Sequence, residues 1–180
     1  MALLPIIVAP DPRLKQKAAP VARVDAEIAR LMDDMLETMH AAPGIGLAAP
    51  QVGVLRRVIV VDAAREDQPP QPCCMANPEL LWVSGELMGY EEGCLSLPEH
   101  YAEVVRPRAI KVAYLDHQGE PRELDAEGLL ATCIQHEMDH LEGVLFVDHL
   151  TALKRNMILR KLQKAKKAGQ QQVASGAPAL

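Results

Sequence analysis

The order of the elements that this 180-residue sequence predicts is typical of an α+β protein rather than of a doubly wound α/β fold. One amphipathic helix comes first, a series of short β-branched or apolar runs follows, and two further helices come last. A hydrophobic fraction of 49% is sufficient for a core, and the length fits one compact domain. We place that single domain at residues 1–168.

The first predicted element is an amphipathic helix from Asp25 to Ala42, which Pro43 and Gly44 end. Its apolar residues recur at helical spacing, at Ile28, Leu31, Met32, Met35, Leu36 and Met39. A glycine-marked stretch, Gly44–Gln51, follows the helix.

Short runs rich in Val, Ile and Leu predict the strands. Arg57–Val61 is a β-branched run, and Leu80–Val83 and Ile110–Leu115 are further apolar runs of strand length. The polar, proline-rich residues 66–72 suit a surface loop between them. A turn at residues 117–120 predicts a hairpin into a strand near Arg122–Leu124.

Two helices are predicted in the last third of the chain. Gly128–Leu141 is apolar on most sides and is therefore expected to be buried. The second helix spans roughly Thr151–Lys167, with Thr151 as its N-cap. Residues 169–180 consist mainly of Gln, Ala, Gly, Ser and Pro, and this composition predicts a disordered tail.

Charge and composition exclude several classes of protein. A net charge of −5 argues against a general coat for nucleic acid, so no DNA partner is expected. The sequence offers neither a signal peptide nor an apolar run of the ~20 residues that cross a bilayer. The four cysteines, Cys73, Cys74, Cys94 and Cys133, form no CxxC pair. We therefore expect a reducing, cytoplasmic location and no membrane partner.

His136-Glu137-Met138-Asp139-His140 is an HExxH motif in the second predicted helix. Positions four apart lie on one face of a helix, so His136 and His140 can bind one metal ion. Glu137 is one step round the helix, where it can act as the general base for a water at the metal. The alternative is a pair of hydrogen-bonded histidines on a buried helix. The apolar residues before the motif count against it, because neighbouring histidines and acids are costly inside a protein without a common partner.

The spacing leaves the third ligand of such a site open. A metzincin would have its third His at the position of Phe146, and Glu142 and Asp148 follow too closely in sequence. His149 and the cysteines remain, and Cys94 is favoured because it lies in a glycine-marked segment.

With these residues in hand, the chain resembles the peptide deformylases, which remove the formyl group from the N-terminal methionine of newly made bacterial proteins. Three motifs carry the resemblance: GIGLAAPQ at Gly44–Gln51, EGCLSLP at Glu92–Pro98 and QHEMDHLEG at Gln135–Gly143. It extends from about Ile6 to Lys167. It implies an α+β fold with a central metal-binding helix among antiparallel sheets, together with the N-terminal and C-terminal helices.

The resemblance also implies the roles of individual residues. Cys94 becomes the third metal ligand beside His136 and His140, and the metal is Fe²⁺, which Zn²⁺, Ni²⁺ or Co²⁺ can replace. The Gln51 amide and the backbone N–H of Leu95 become donors to the oxyanion that forms when water attacks the formyl carbon. Glu137 then returns its proton to the leaving amine, and the products are formate and a peptide with a free N-terminal methionine.

A substrate pocket is implied beside the metal. Its expected residues are Gly44, Ile45, Gly46, Leu47, Glu92, Gly93, Leu130 and Cys133, although the apolar members among them fit a core equally well. One position departs from the family pattern, because Tyr101 stands where many members have Arg. We consider Arg106 and Arg108 as its substitutes.

The last helix concentrates positive charge in an acidic protein, at Lys154, Arg155, Arg160, Lys161, Lys164, Lys166 and Lys167. Such a run is either a solvated helix face or a surface that docks on ribosomal RNA near the emerging peptide. The expected partners are therefore formyl-methionyl nascent peptides and, through this helix, the ribosome.

Two other functions fit parts of the sequence. A zinc peptidase would use the same HExxH helix, but it lacks the metzincin His and does not account for the motif around Cys94. A structural metal site or an inactive relative would hold its metal with a closed set of four ligands.

Overall fold

The computed structural model describes residues 2–64 and 67–174 of the chain. Within these residues, three α-helices and seven strands make up the α+β fold. In chain order they are α1 (Ala26–Ala41), β1 (Gly46–Ala48), β2 (Val58–Val61), β3 (Cys73–Val83), β4 (Leu87–Cys94), β5 (Leu97–Pro107), β6 (Ala109–Leu115), β7 (Pro121–Glu127), α2 (Gly128–Leu141) and α3 (Ala152–Ala174).

The strands form two antiparallel sheets. Five of them lie in the order β1-β2-β3-β6-β7, and β4 and β5 form a separate hairpin. Helix α2 contacts strands of both sheets, so it is the central element of the molecule. Gly128 begins this helix at φ 61° and donates its N–H to the Arg108 carbonyl, which fixes the start of α2 to the end of the hairpin.

Methionine and aliphatic side chains build the core, as the low aromatic content requires. Helix α1 buries Met32, Met35 and Met39 against β1 and β2, and each such burial contributes roughly 1.5–3 kcal/mol. A second cluster joins the five-stranded sheet to Ile134 and other residues of α2. A third cluster lies under the hairpin and α3, around Phe146.

The end of α2 requires a glycine. Gly143 has φ 72°, and a Cβ there would lie 2.4 Å from the Lys15 carbonyl oxygen. The chain therefore makes a sharp turn at the end of α2, and Phe146 is buried beneath the helix that carries the HExxH motif.

Most predicted elements occupy their expected places. Helix α1 lies within Asp25–Ala42, and α2 has the predicted bounds, Gly128–Leu141. Thr151 Oγ1 accepts the N–H of Lys154 at 3.3 Å, as expected of an N-cap. None of the helices in the described part of the chain is long and apolar enough to cross a membrane.

Three stretches differ from the sequence-based expectation. Strand β3 begins at Cys73, seven residues before the predicted Leu80, and the hairpin of β4 and β5 was not predicted at all. Helix α3 continues to Ala174, so it includes the first six residues of the expected tail, 169–174. Residues 175–180 lie outside the described part.

Candidate active site

Two separate elements bring three ligand-type side chains together. Helix α2 places His136 and His140 one turn apart, with ring centroids 5.1 Å from each other. Strand β4 ends at Cys94, whose Sγ lies 3.4 Å from His140 Nε2. One ligand atom from each of the three residues lies within 4.8 Å of the other two.

This cluster fits a metal ion. Two ligands at roughly 2.3 Å (sulfur) and 2.1 Å (nitrogen) from a tetrahedral metal are about 3.6 Å apart, close to the observed Cys94–His140 separation. Thiolate and imidazole are ligands that suit iron, nickel, cobalt and zinc.

The pKa values of the two imidazoles are shifted in opposite directions. Burial, with the charge of His136 second, holds the pKa of His140 well below its usual range. Burial acts in the same sense on His136, but hydrogen bonds with Cys94 and Glu92 outweigh it and raise the pKa of His136 well above its usual range. A metal ion and a proton compete for such nitrogens.

Glu92 orients His136, a role that the sequence did not indicate. Its Oε2 lies 2.8 Å from His136 Nδ1, which directs the other ring nitrogen toward the cluster. Phe146 stacks on the same imidazole with centroids 6.2 Å apart. Burial opposes ionisation of Glu92, but hydrogen bonds from His136 and Arg106 hold its pKa below the usual range.

Arg106 is part of this support and not of the substrate surface. It donates from Nε and Nη2 to Glu92 at 2.6 and 3.0 Å and from Nη1 to Asp139 at 2.8 Å, and it is buried. Arg108 pairs with Glu86 on the exposed side of the hairpin. Neither lines the cavity beside the cluster, so the expectation that they replace an arginine at position 101 is wrong.

His149, left open by the sequence as a third ligand, lies elsewhere. Its Nε2 is 2.8 Å from Asp139 Oδ2, and it is not a member of the Cys94 cluster. The same Asp139 oxygen accepts from Arg106, so His149 extends the buried ion pairs toward the surface.

Glu137 lies beside the cluster with a free oxygen. The residue is 4% exposed, and its Oε2 has no hydrogen-bond partner among the residues described. Burial raises its pKa to about 7, a value that suits a group that both accepts and returns a proton near neutral pH.

Gln51 is held rigidly next to the same cluster. Its Oε1 accepts the N–H of Ala48 at 2.9 Å, and its Nε2 donates to Ser96 Oγ at 3.0 Å and to Cys94 Sγ at 3.5 Å. Leu95 and Ser96 form the two-residue turn between β4 and β5. The family resemblance implied roles for Gln51 and Leu95 but not for the hydroxyl of Ser96.

A cavity of about 400 Å³ opens beside these groups. Of the eight predicted pocket residues, six line it: Gly44, Ile45, Gly46, Glu92, Gly93 and Cys133. Cys133 is also a core residue, with its Sγ 3.3 Å from the Ile45 carbonyl oxygen. Leu47 and Leu130 do not line the cavity, because Leu47 is fully buried against α1 and Leu130 packs on the sheet side of α2.

Two imidazoles, a cysteine sulfur and a buried carboxylate at one cavity are the groups that a metal-dependent hydrolase uses.

The polypeptide deformylase family matches residues 3–156. The chain is 61% identical over 168 residues to the peptide deformylase of Phenylobacterium zucineum, covering 93% of this chain and 99% of that protein. It is 58% identical over 175 residues to that of Methylocella silvestris, covering 96% and 89%.

Solved structures of peptide deformylases also match the chain. The crystal structure of peptide deformylase from Ehrlichia chaffeensis has a TM-score of 0.89 and 40% identity, and it covers 94% of this chain and 99% of its own. The chain belongs to the polypeptide deformylase family, metal-dependent hydrolases that remove the N-formyl group from the N-terminal methionine of nascent proteins.

Proposed function

We propose that Cys94, His136 and His140 hold the catalytic metal and that this metal is Fe²⁺, with Zn²⁺, Ni²⁺ or Co²⁺ able to replace it. The thiolate and two imidazoles suit all four ions, and the 3.4 Å approach of Cys94 to His140 supports a shared ion. When bound, the metal acts as a Lewis acid and lowers the pKa of water. Glu92 keeps His136 in the orientation that binding needs.

Glu137 is the general base and then the general acid. The observation that carries this proposal is that Glu137 lines the cavity while its buried Oε2 has no hydrogen-bond partner among the described residues. The carboxylate takes a proton from the attacking water and later gives it to the leaving amine nitrogen. One water is consumed, and formate and a free N-terminal methionine leave.

Gln51 and Leu95 stabilise the oxyanion of that reaction. The Gln51 amide is held by Ala48 and Ser96, so its second N–H keeps one direction, toward Cys94. Leu95 is in the turn directly after Cys94, where its backbone N–H serves as the second donor. A preorganised donor of this kind contributes about 10²–10³ to turnover.

The substrate lies along the cavity between β1 and the hairpin. The backbone of Gly44, Ile45 and Gly46 forms one wall, and Cys133 with the stem of Glu92 and the backbone of Gly93 contributes to the other side, where the methionine side chain binds. Residues 1–168 constitute the single catalytic domain, and the protein acts in the cytoplasm.

The experiment that tests this function measures formate release from a formyl-Met-Ala-Ser peptide under anaerobic conditions, with metal analysis of the same sample. We expect stoichiometric iron and formate without cleavage of the peptide bonds. Glu137→Gln should retain metal and lose nearly all turnover. Cleavage of peptide bonds in place of formate release would indicate a zinc peptidase instead.

We further propose that α3 docks on the ribosome. Its basic side chains Lys154, Arg160, Lys161, Lys164 and Lys167 are exposed, whereas Leu162 of the same helix is buried. Deleting α3 would remove that packing, so charge reversal is the cleaner test. Lys161→Glu with Lys164→Glu should weaken a salt-dependent association with 70S ribosomes and leave formate release from a free peptide unchanged.

A further inference from the structure

A second cavity, separate from the catalytic one, lies between the N-terminal segment and α3. It is a surface groove of about 550 Å³. Residues Pro5–Val8 form one wall, and Leu162 and Ala165 of α3 contribute to the other. These side chains are apolar, and Val8 and Ala165 are exposed. The groove therefore offers an apolar surface to a ligand.

The charged groups that line this groove already have partners. Asp11 and Arg13 form an ion pair at 2.8 Å, and Lys166 Nζ donates to the Pro10 carbonyl at 3.1 Å. No other charged side chain lines the groove in the described part of the chain. We therefore expect its ligand to be held by apolar contacts and by backbone hydrogen bonds rather than by charge.

The backbone of residues 5–9 has one free edge. Ile7 and Ala9 each donate their N–H to a backbone carbonyl at 2.8 Å. Hydrogen bonds at alternate residues are the pattern of an extended chain, whose successive N–H groups point to opposite sides. The N–H groups of Ile6 and Val8 have no hydrogen-bond partner among the described residues. Such an edge can take up an extended peptide as an added strand.

The groove continues the catalytic cavity. Pro98, an exposed residue near the start of β5, lines both of them. Its neighbour Leu97 is buried in the same cluster as Leu162, which holds α3 against this end of the hairpin. A peptide that leaves the catalytic cavity over Pro98 therefore meets the groove, and each extended residue carries it about 3.3 Å further.

We propose that this groove binds the nascent chain downstream of the formylated methionine, as an extended apolar segment that pairs with the free N–H groups of Ile6 and Val8. This inference rests on the proposed function. The substrate is a polypeptide, so its backbone carbonyls can accept these two N–H groups whatever its sequence. The apolar walls add a preference for Val, Ile or Leu over Gly and Ser.

The test measures kcat and KM for formate release by the iron-loaded enzyme under anaerobic conditions. The peptides begin with formyl-Met-Ala-Ser and continue for about seven residues, which are either Gly and Ser alone or include Val-Ile-Val at successive positions. We expect the best-placed Val-Ile-Val peptide to have a KM lower by about threefold to tenfold than the Gly/Ser peptide, because it buries apolar groups. The kcat should be the same for both, because the groove contacts do not change during the reaction.

Two variants test the two parts of the groove. Ala165→Glu places a charge in the apolar wall and should bring the KM ratio close to one, whereas Ala168→Glu is the matched control on the same helix, outside the groove, and should keep the ratio. Val8→Pro removes one free N–H, and an extended chain tolerates proline there, so the KM ratio should fall. Val8→Ala keeps the N–H and should retain more of the preference.

Equal KM values for the Val-Ile-Val and the Gly/Ser peptides would overturn the proposal. A preference that both Ala165→Glu and Val8→Pro retain, or that Ala168→Glu also loses, would overturn it as well. A wild-type enzyme that sediments as a dimer, with Ala165→Glu as a monomer, would show that the groove holds a second copy of the chain and not the substrate. Absence of formate from every peptide, formyl-Met-Ala-Ser included, would instead overturn the proposed function and this inference with it.

Discussion

At Gly46 the backbone of β1 passes so close to α2 that no side chain fits. A Cβ there would lie 2.3 Å from Glu137 Oε1 and 2.8 Å from Cys133 Sγ. We therefore expect Gly46→Ala to displace the Glu137 carboxylate and to lower kcat/KM for formate release by about 10²-fold, the usual effect of a 1 Å misplacement. Gly85→Ala is the control, since a Cβ at Gly85 meets nothing within 4 Å. Equal activity of the two variants would contradict this position for Glu137.

Glu92 carries two functions in one carboxylate, because it orients His136 and balances the buried Arg106. Glu92→Gln keeps the shape and removes the charge. We expect weaker metal binding by about 10–100-fold, measured by competition with a chelator, because the imidazole is held less firmly. Denaturant unfolding should show a loss of about 3 kcal/mol, because Arg106 retains only Asp139 as a partner. Glu103→Gln should change neither quantity.

The sequence pattern indicated the two histidine ligands but not the side chains that hold them in place. The spacing of His136 and His140 follows from the helix period alone, so the motif predicted their convergence. Glu92 precedes His136 by 44 residues, and its contact with the imidazole depends on how the hairpin packs on α2. No local pattern encodes that contact.

The hairpin of β4 and β5 shows why an element escapes prediction. A half-buried strand alternates apolar and polar residues, but here Glu92 and Arg106 occupy buried positions while Leu87 and Val105 are exposed. The two buried charges satisfy each other across the hairpin, and the hydrophobic period is lost. A strand whose inner face carries an ion pair cannot be found from hydrophobic alternation.

The 3-10 turn Phe146–His149 is held by Asp148, which accepts the N–H of Leu145 at 2.8 Å and pairs with Lys15. Burial raises the pKa of Asp148, but these two contacts outweigh it and lower the pKa below its usual range. A lowered pKa in the folded state means that the stabilisation is complete above the unfolded pKa of about 3.9 and is lost as the pH falls through the folded value.

Asp148→Asn should therefore reduce the free energy of unfolding by about 1 kcal/mol at pH 7, and the difference from wild type should shrink below about pH 4. Denaturant unfolding at pH 7, 5 and 3 measures it. Asp125→Asn serves as the control. The Asp125 side chain is 79% exposed and its Oδ1 lies 3.6 Å from Lys111 Nζ, so this surface ion pair contributes little to stability. A difference that grows on acidification would show that the sign is wrong.

Across the whole molecule, the site lies where three separately packed units meet. The edge of the five-stranded sheet contributes Gly46, the hairpin contributes Cys94, and α2 crosses between them with His136 and His140. The sequence predicted α1 well because its apolar residues recur at helical spacing, and it predicted α2 from an apolar run of helix length that contains the HExxH motif. It could not predict the meeting of Cys94 with α2, which depends on tertiary packing. That ligand came from family resemblance rather than from spacing.

Because the ligands come from two different units, metal binding should stabilise the fold as well as enable the reaction. Removing the metal with an anaerobic chelator should abolish formate release and lower the thermal midpoint, since a ligand at 100 times its Kd adds about 2.7 kcal/mol to folding. Readdition of Fe²⁺ should restore both. Cys94→Ala should show a much smaller chelator-dependent shift, because it loses the tie between β4 and α2. Cys73→Ser should retain the full shift, since Cys73 contacts Tyr114, away from the cluster. A full shift in Cys94→Ala would mean that the metal binds without the hairpin.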